Sequence, residues 1–420
     1  MLKNKIKFYI DKFTQITGID FHYVLKGGSW SVLDQVISNV GAFIQAIAFA
    51  RLIPQAAYGT YSLIQTWVEI FAVFAISGLP YAVTKSVAQG FEGELQRGVQ
   101  YKLRYGLISS LIALGFTLYY LQMGNNMFAL SFLIVSIFLP FSLISKILYN
   151  FLRAKGLFSK IPLVNSVVTS VSVAVMIIVL FNTSYVPYIL LAYFIPSSLA
   201  YFIFLFWIIK KYQNNRKVSA ETKRFGMHLT FMNIAGVIVK RIDQLLMFHL
   251  VGPVELAIYK FALLPIRKLQ GLVEIVPEIA LPRFAKRSYP EIYSAIGRKL
   301  LFATLAGVFI VIGYITILPW AYRFFFPAYV GSVKYSIILA LPIVFVMFSF
   351  INYIWLAKVE VKRLYFLKVL NDFSLLGFFI ILIPKFGLWG AVVSRIATST
   401  IVSLITLTLF LKDKKKYTSI

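Results

Sequence analysis

The stretch Asn233-Ile-Ala-Gly-Val-Ile-Val-Lys240-Arg241-Ile-Asp243-Gln244-Leu-Leu-Met247 lies inside an apolar run long enough to cross a membrane, yet it carries three ionisable groups within four residues. Read as one helix at 100° per residue, it places Asn233, Gly236, Asp243, Gln244 and Met247 within about 60° of Lys240, with Arg241 at the edge of that arc. Phe231, Ala235, Ile238, Ile242, Leu245 and Leu246 fill the opposite side. One face suits lipid and the other suits water. A charge near the centre of a bilayer costs roughly 3 kcal/mol or more, so such residues face a bundle interior or a wet cavity. The plainer reading is that Lys240 and Asp243, at i and i+3, neutralise each other and hold two helices together.

Composition fits that membrane setting. Of 420 residues, 60% are hydrophobic and 17% aromatic, well above the level of a soluble domain. The net charge of +27 would point to nucleic acid in a soluble protein. Here the basic residues collect in short loops, which is the signature of cytoplasmic loops and excludes nucleic acid as the expected partner. With no cysteine there are no disulfides or thiolate sites, and three histidines without chelating spacing give no metal centre. Leu2, Ile6, Tyr9, Phe13 and Ile16 recur at helical spacing among Lys3, Lys5, Lys7 and Lys12, which predicts an amphipathic helix on the membrane surface over residues 1–26.

Hydropathy predicts an all-α polytopic membrane protein of about twelve spans: 27–50, 58–79, 103–122, 127–149, 163–181, 187–209, 227–250, 256–277, 300–319, 333–356, 366–384 and 388–411. With the N-terminus in the cytoplasm, only Arg51, Arg323, Lys385 and Lys334 (at the outer end of the tenth span) fall on the outer side, so both termini are expected inside. The expected organisation is a six-helix lobe over 27–209, a basic linker over 210–226 acting as a hinge, a second six-helix lobe over 227–411 and a basic tail over 412–420. The halves look related. Gln45 and Pro54 match Gln244 and Pro253, Tyr61 and Glu69 match Tyr259 and Arg267, and Ala154-Lys155 matches Ala357-Lys358, all at an offset of about 200. Duplication of an even number of spans gives parallel, pseudo-symmetric lobes, expected around a central cavity.

Polar stripes say which helices line it. Lys260, Arg267 and Glu274 recur at i, i+7 and i+14, with Lys268 on one flank and Pro265 expected to interrupt the helix. Asp34 and Glu69 mark the first and second spans. The balance is cationic and suits an anionic ligand. Lys260 and Asp34 are close enough to helix ends to snorkel, and Arg395, under two turns from the outer end of the last span, is expected to anchor there. Asp372 is expected to pair with Lys368 at i and i+4. No phosphate loop, nucleophile elbow or paired carboxylates point to enzymatic chemistry.

Phe49-Ala-Arg51-Leu-Ile-Pro54-x3-Tyr58-Gly59-Thr-Tyr61 resembles the start of the Wzx-type flippases, the O-antigen and capsule repeat-unit translocases of the multidrug/oligosaccharidyl-lipid/polysaccharide exporter (MOP) superfamily, which includes the MATE exporters. Asp243-Gln-Leu-Leu-x4-Val-Gly252-Pro-x-Glu255-x2-Ile258-Tyr259 resembles the same family's seventh-span signature, and Arg153-Ala-Lys155-Gly also fits. The resemblance implies a flippase that moves undecaprenyl-diphosphate-linked oligosaccharide across the bacterial cytoplasmic membrane by alternating access, for O-antigen or capsule assembly. Candidate substrate-binding cations are Lys240, Arg241, Arg267, Lys268, Lys260 and Arg51. Asp34, Glu69, Asp243 and Glu274 are candidates for charge pairing or for coupling to H⁺ or Na⁺. No cofactor is expected; the implied partners are membrane lipids and other polysaccharide-assembly proteins. The rivals are a multidrug cation exporter, which would want an acidic cavity, and a membrane polysaccharide polymerase, which would want a large outer loop.

Overall fold

The computed structural model describes residues 21–418, and every regular element among them is helical. In order they are α1 (Phe21–Leu52), α2 (Gln55–Phe71), α3 (Leu79–Ala88), α4 (Glu94–Gln122), α5 (Asn126–Ser142), α6 (Ile144–Ala154), α7 (Lys160–Asn182) and α8 (Val186–Tyr212). There follow α9 (Glu221–Val239), α10 (Ile242–Leu246) with a π turn over Met247–Val251, α11 (Pro253–Lys286) and α12 (Tyr289–Phe325). Two 3-10 segments, Pro327–Ser332 and Leu341–Val346, flank α13 (Val333–Ala340), before α14 (Met347–Ala357) and α15 (Val361–Thr418). The surface helix expected over 1–26 lies, for residues 1–20, outside the described residues.

Among the described residues, eight stretches are long and apolar enough, by length and composition, to cross a membrane. One of them, Val361–Asp413, has 53 residues, far more than the ~20 needed for one crossing. Gly387, at φ +55, breaks it where the sequence places a turn between two spans. The other expected spans fall on α2, on α9–α10 and on α11, which are shorter, broken or charged. The protein is thus an all-helical, multi-pass membrane protein.

Packing divides the chain into two compact units. One takes residues up to Leu52 together with Trp67–Ala235, and the other takes Ile53–Thr66 together with the chain from Gly236 onward. In the first unit Leu79, Val83, Leu95, Val99, Ile147, Leu148, Phe151 and Val164 form a continuous buried core. The span expected over 58–79 ends early, at Phe71, and Ile76 takes a positive φ of 51° before α3 begins. Carbonyls freed by that ending need donors. Lys102, fully buried on α4, donates to the carbonyls of Ala75 (2.7 Å) and Ile76 (2.9 Å).

The linker expected to act as a hinge is fastened to the first unit. The N–H of Gly93 donates to the carbonyl of Lys217, the Asn215 amide donates to the carbonyl of Gly90, and the N–H of Ser219 donates to Glu94. Glu92 accepts from Lys155 and from the N–H of Asn214. Burial raises the Glu92 carboxyl, but Lys155 and the backbone N–H groups of Asn214 and Asn215 outweigh it, so its pKa lies below the ordinary value. A depressed folded pKa means the stabilisation is complete above the unfolded glutamate value and is lost as pH falls through the folded one. Thermal melting of the wild type should therefore lose stability on acidification through this range. Glu92→Gln should melt lower at neutral pH and lose less on acidification; an unchanged acid dependence in Glu92→Gln would remove Glu92 as a source of it.

In the second unit α2 crosses α11 closely, and a Cβ on Gly59 would strike the Pro253 carbonyl. Phe261 and Tyr329 stack at 3.7 Å between ring centroids, and Tyr58 packs edge-on to Tyr329. Ser332 and Ser336 donate to the carbonyls of Ile258 and Ala262, one turn apart on α11. A second core gathers Tyr293, Ile351, Trp355 and Phe410.

The internal repeat reappears as equivalent chain turns. After α6 the chain reverses at Gly156, φ +69; after α14 it reverses at Val359, φ +58, at the offset of the Ala154/Ala357 match. Lys155 reaches Glu92 in its unit, while Lys358 donates to the carbonyls of Ala285 and Arg287 in the other. A β-branched residue in the left-handed region costs roughly 1–2 kcal/mol. Val359→Gly is expected to raise stability by about 1 kcal/mol after glycine's own entropic loss, read as a higher melting temperature. A lower melting temperature would contradict the strain.

Candidate functional site

The opening stretch does not form one helix. α9 ends at Val239, Lys240 and Arg241 occupy a turn, and α10 starts at Ile242. The break separates side chains that a continuous helix would keep on one face. Lys240 is exposed and Arg241 half-buried, whereas Asp243 and Gln244 are fully buried.

Asp243 has every partner a buried carboxylate needs. Its Oδ1 accepts from the N–H of Gln244 at 2.8 Å, and its Oδ2 accepts from the Tyr259 hydroxyl at 2.7 Å and from Arg395 Nη2. Arg395 Nε donates to the Tyr259 oxygen at 2.5 Å, and the guanidinium lies over the rings of Tyr259 and Phe379. Two expectations are corrected here. Asp243 pairs with Arg395 and not with Lys240. Arg395 is no outer interfacial anchor, because a buried acid on α10 draws it inward. Gln244 accepts from Thr66 (2.8 Å) and from Lys260 (2.9 Å), so Lys260 is tied to a neighbouring amide.

Lys240, Arg241, Arg267 and Arg395 line one cavity of about 560 Å³ formed wholly by the second unit. Gln270, Asn371, Thr398, Ser399 and Ser403 add neutral polar groups, and Leu263, Ile266, Leu339, Pro342, Leu375 and Val402 the apolar wall. Among the described residues no carboxylate lines it. Arg267 is exposed to it from α11, which runs through Pro265 without the interruption its sequence implies. The Asp243–Tyr259 pair fixes the orientation of Arg395, leaving the guanidinium as part of the wall. Four cations and a hydroxyl-rich edge have the chemistry to hold a polyanion, and arginine forks suit phosphate oxygens in particular.

The other sequence candidates lie elsewhere. Lys268 is exposed on α11 and Arg51 is exposed at the end of α1; neither lines this cavity. Asp34 accepts from Asn165 at 2.7 Å within the first unit, and Glu69 is exposed. The Glu274 side chain lies outside the described residues. Asp372 accepts from its neighbour Asn371. Arg395 is the functional candidate the sequence misassigned; the weak signal for it was the acid of the seventh span, which needed a cation from some helix.

Solved structures share this fold. A multidrug resistance MATE family transporter of the MOP superfamily in its inward-facing conformation matches with a TM-score of 0.65 at 13% identity, covering 92% of this chain and 99% of that one. The lipid II flippase MurJ, in an inward closed conformation, matches with a TM-score of 0.61 at 18% identity over 93% of this chain and 89% of that one. A MOP superfamily transporter from Pyrococcus furiosus, described by the reverse polarity of its binding pocket, matches with a TM-score of 0.60 at 12% identity over 92% and 95%. Comparison with curated protein sequences gives no match. The fold is therefore the two-lobed, multi-pass architecture of the MOP-superfamily transporters. Within it, the chain belongs to the polysaccharide biosynthesis protein family, whose model matches residues 24–288.

Proposed function

We propose that this protein is a flippase that moves undecaprenyl-diphosphate-linked oligosaccharide repeat units across the bacterial cytoplasmic membrane, for O-antigen or capsule assembly. The observation that carries the reading is the cavity lined by four cations, with no carboxylate among the described residues that line it. Its family membership and its MurJ-like fold support a lipid-linked substrate. The diphosphate is held by Arg267, Lys240, Arg241 and Arg395, the polyprenyl tail stays in lipid, and alternating access exposes the site to each membrane face in turn. Both termini are cytoplasmic in this reading, and the work is transport, with no cofactor and no covalent step. Coupling to H⁺ or Na⁺ is assigned to the acids Asp34 and Glu69, since Asp243 is committed to Arg395.

A multidrug cation exporter is the rival, and four lining cations oppose it. Deletion of the gene in its host, followed by analysis of lipid-linked oligosaccharide and surface polymer, separates the two. Loss of surface glycan with completed repeat units on the cytoplasmic leaflet supports the flippase. Intact glycan with raised sensitivity to lipophilic cations supports the exporter.

A further inference from the structure

We propose that the groove between α4 and α9, within the first unit, binds the phosphate head group of an anionic phospholipid. Arg97, Tyr101, Arg104, Tyr105 and Ile108 recur at helical spacing along one face of α4. From α9, Lys223 places its ammonium 5.7 Å from the Tyr101 ring centroid and 5.3 Å from that of Tyr105. Together Tyr101, Arg104, Tyr105, Ile108 and Lys223 enclose about 250 Å³. Lys223 also borders a second groove, with Arg224, Phe225, His228 and Phe231.

The charges around this groove do not cancel. Glu221 lines the second groove, and the Glu94 carboxylate accepts from the N–H of Ser219. Among the described residues neither Arg104 nor Arg224 has an ion-pair partner. Arg104 lies ten residues into α4, about 15 Å along its axis at the helical rise. Beyond it Leu107, Ile108, Leu111 and Leu118 are exposed, an apolar strip that faces lipid. The span expected over 103–122 puts Arg104 at the cytoplasmic membrane boundary, where a lipid phosphate is the anion that the membrane supplies to a guanidinium beside such a strip. The tyrosine hydroxyls suit the head-group level, and the strip takes the acyl chains. Continuity of the charged groove with apolar surface selects a phospholipid over free phosphate.

The test does not depend on the transport reading. The full-length protein is purified in detergent and equilibrated with phosphatidylglycerol or phosphatidylcholine of identical acyl chains, and bound lipid is counted by native mass spectrometry. The expected result is preferential retention of phosphatidylglycerol by about tenfold, the effect of about 1.4 kcal/mol. Arg104→Gln with Lys223→Gln should bring retention to the phosphatidylcholine level, and Arg104→Lys should keep most of the preference. Equal retention of both lipids, or an unchanged preference in the double variant, overturns the proposal. So does displacement of the lipid by millimolar inorganic phosphate, which would mark a free-phosphate site.

Discussion

Asp243→Asn is expected to destabilise the second unit by about 3–5 kcal/mol, the usual penalty for stripping one partner from a buried ion pair. The Asp243 side chain is fully buried, and three groups converge on it: Arg395, Tyr259 and the N–H of Gln244. An amide there can still accept, but it leaves the guanidinium without its counter-charge beside the cations Lys240, Arg241 and Arg267 that line the same cavity. Membrane levels should fall and the melting temperature should drop by many degrees. Replacing both residues, as Asp243→Asn with Arg395→Met, removes the stranded charge as well as its partner. The double variant should recover much of the lost stability, because contacting pairs are strongly non-additive. A single variant that melts like the wild type would show that the pair is not made.

Arg267→Ala and Lys240→Ala should each abolish surface glycan while leaving protein levels intact. Both side chains are exposed to the cavity, so losing either leaves no buried partner behind. A hydrogen bond to a charged phosphate is worth about 1.5–3 kcal/mol, so transport should fall by roughly ten- to a hundredfold or more. Arg267→Lys should keep part of the activity, since lysine supplies the charge without the two-pronged donor geometry. Normal glycan in both alanine variants would remove the cavity from the mechanism. Loss of glycan in Asp243→Asn would not discriminate in the same way, because that variant is expected to lose the protein too.

Much of the fold is legible in the sequence because its signals are local. Apolar runs mark the spans, Gly387 sits where hydropathy places a turn between the last two, and Pro253 after Gly252 starts α11. The repeat was legible from a few matched residues, and the paired turns at Gly156 and Val359 give it a structural counterpart. Three cavity cations, Lys240, Arg241 and Arg267, were also legible, because deep charges in apolar runs are rare. What the sequence hid depends on contacts between distant positions. Arg395 looks like an anchor by its distance from a span end, yet its partner lies 152 residues earlier. The break at Lys240–Arg241 has no proline or glycine to announce it; it coincides with the burial of Asp243 and Gln244, which a continuous helix would leave on the wet face. Lys102 was invisible for the same reason, since its partners are carbonyls that become free only where α2 ends.

The most direct measurement is a flipping assay with the purified protein in liposomes containing a polyprenyl-diphosphate-linked oligosaccharide, read as the fraction of sugar that an outside reagent can modify over time. The wild type should expose the inner-leaflet pool, Arg267→Ala and Lys240→Ala should leave it protected, and a neutral-headed analogue lacking the diphosphate should not be moved. Equal flipping by the alanine variants, or equal movement of the neutral analogue, would contradict a cavity that works by holding the diphosphate.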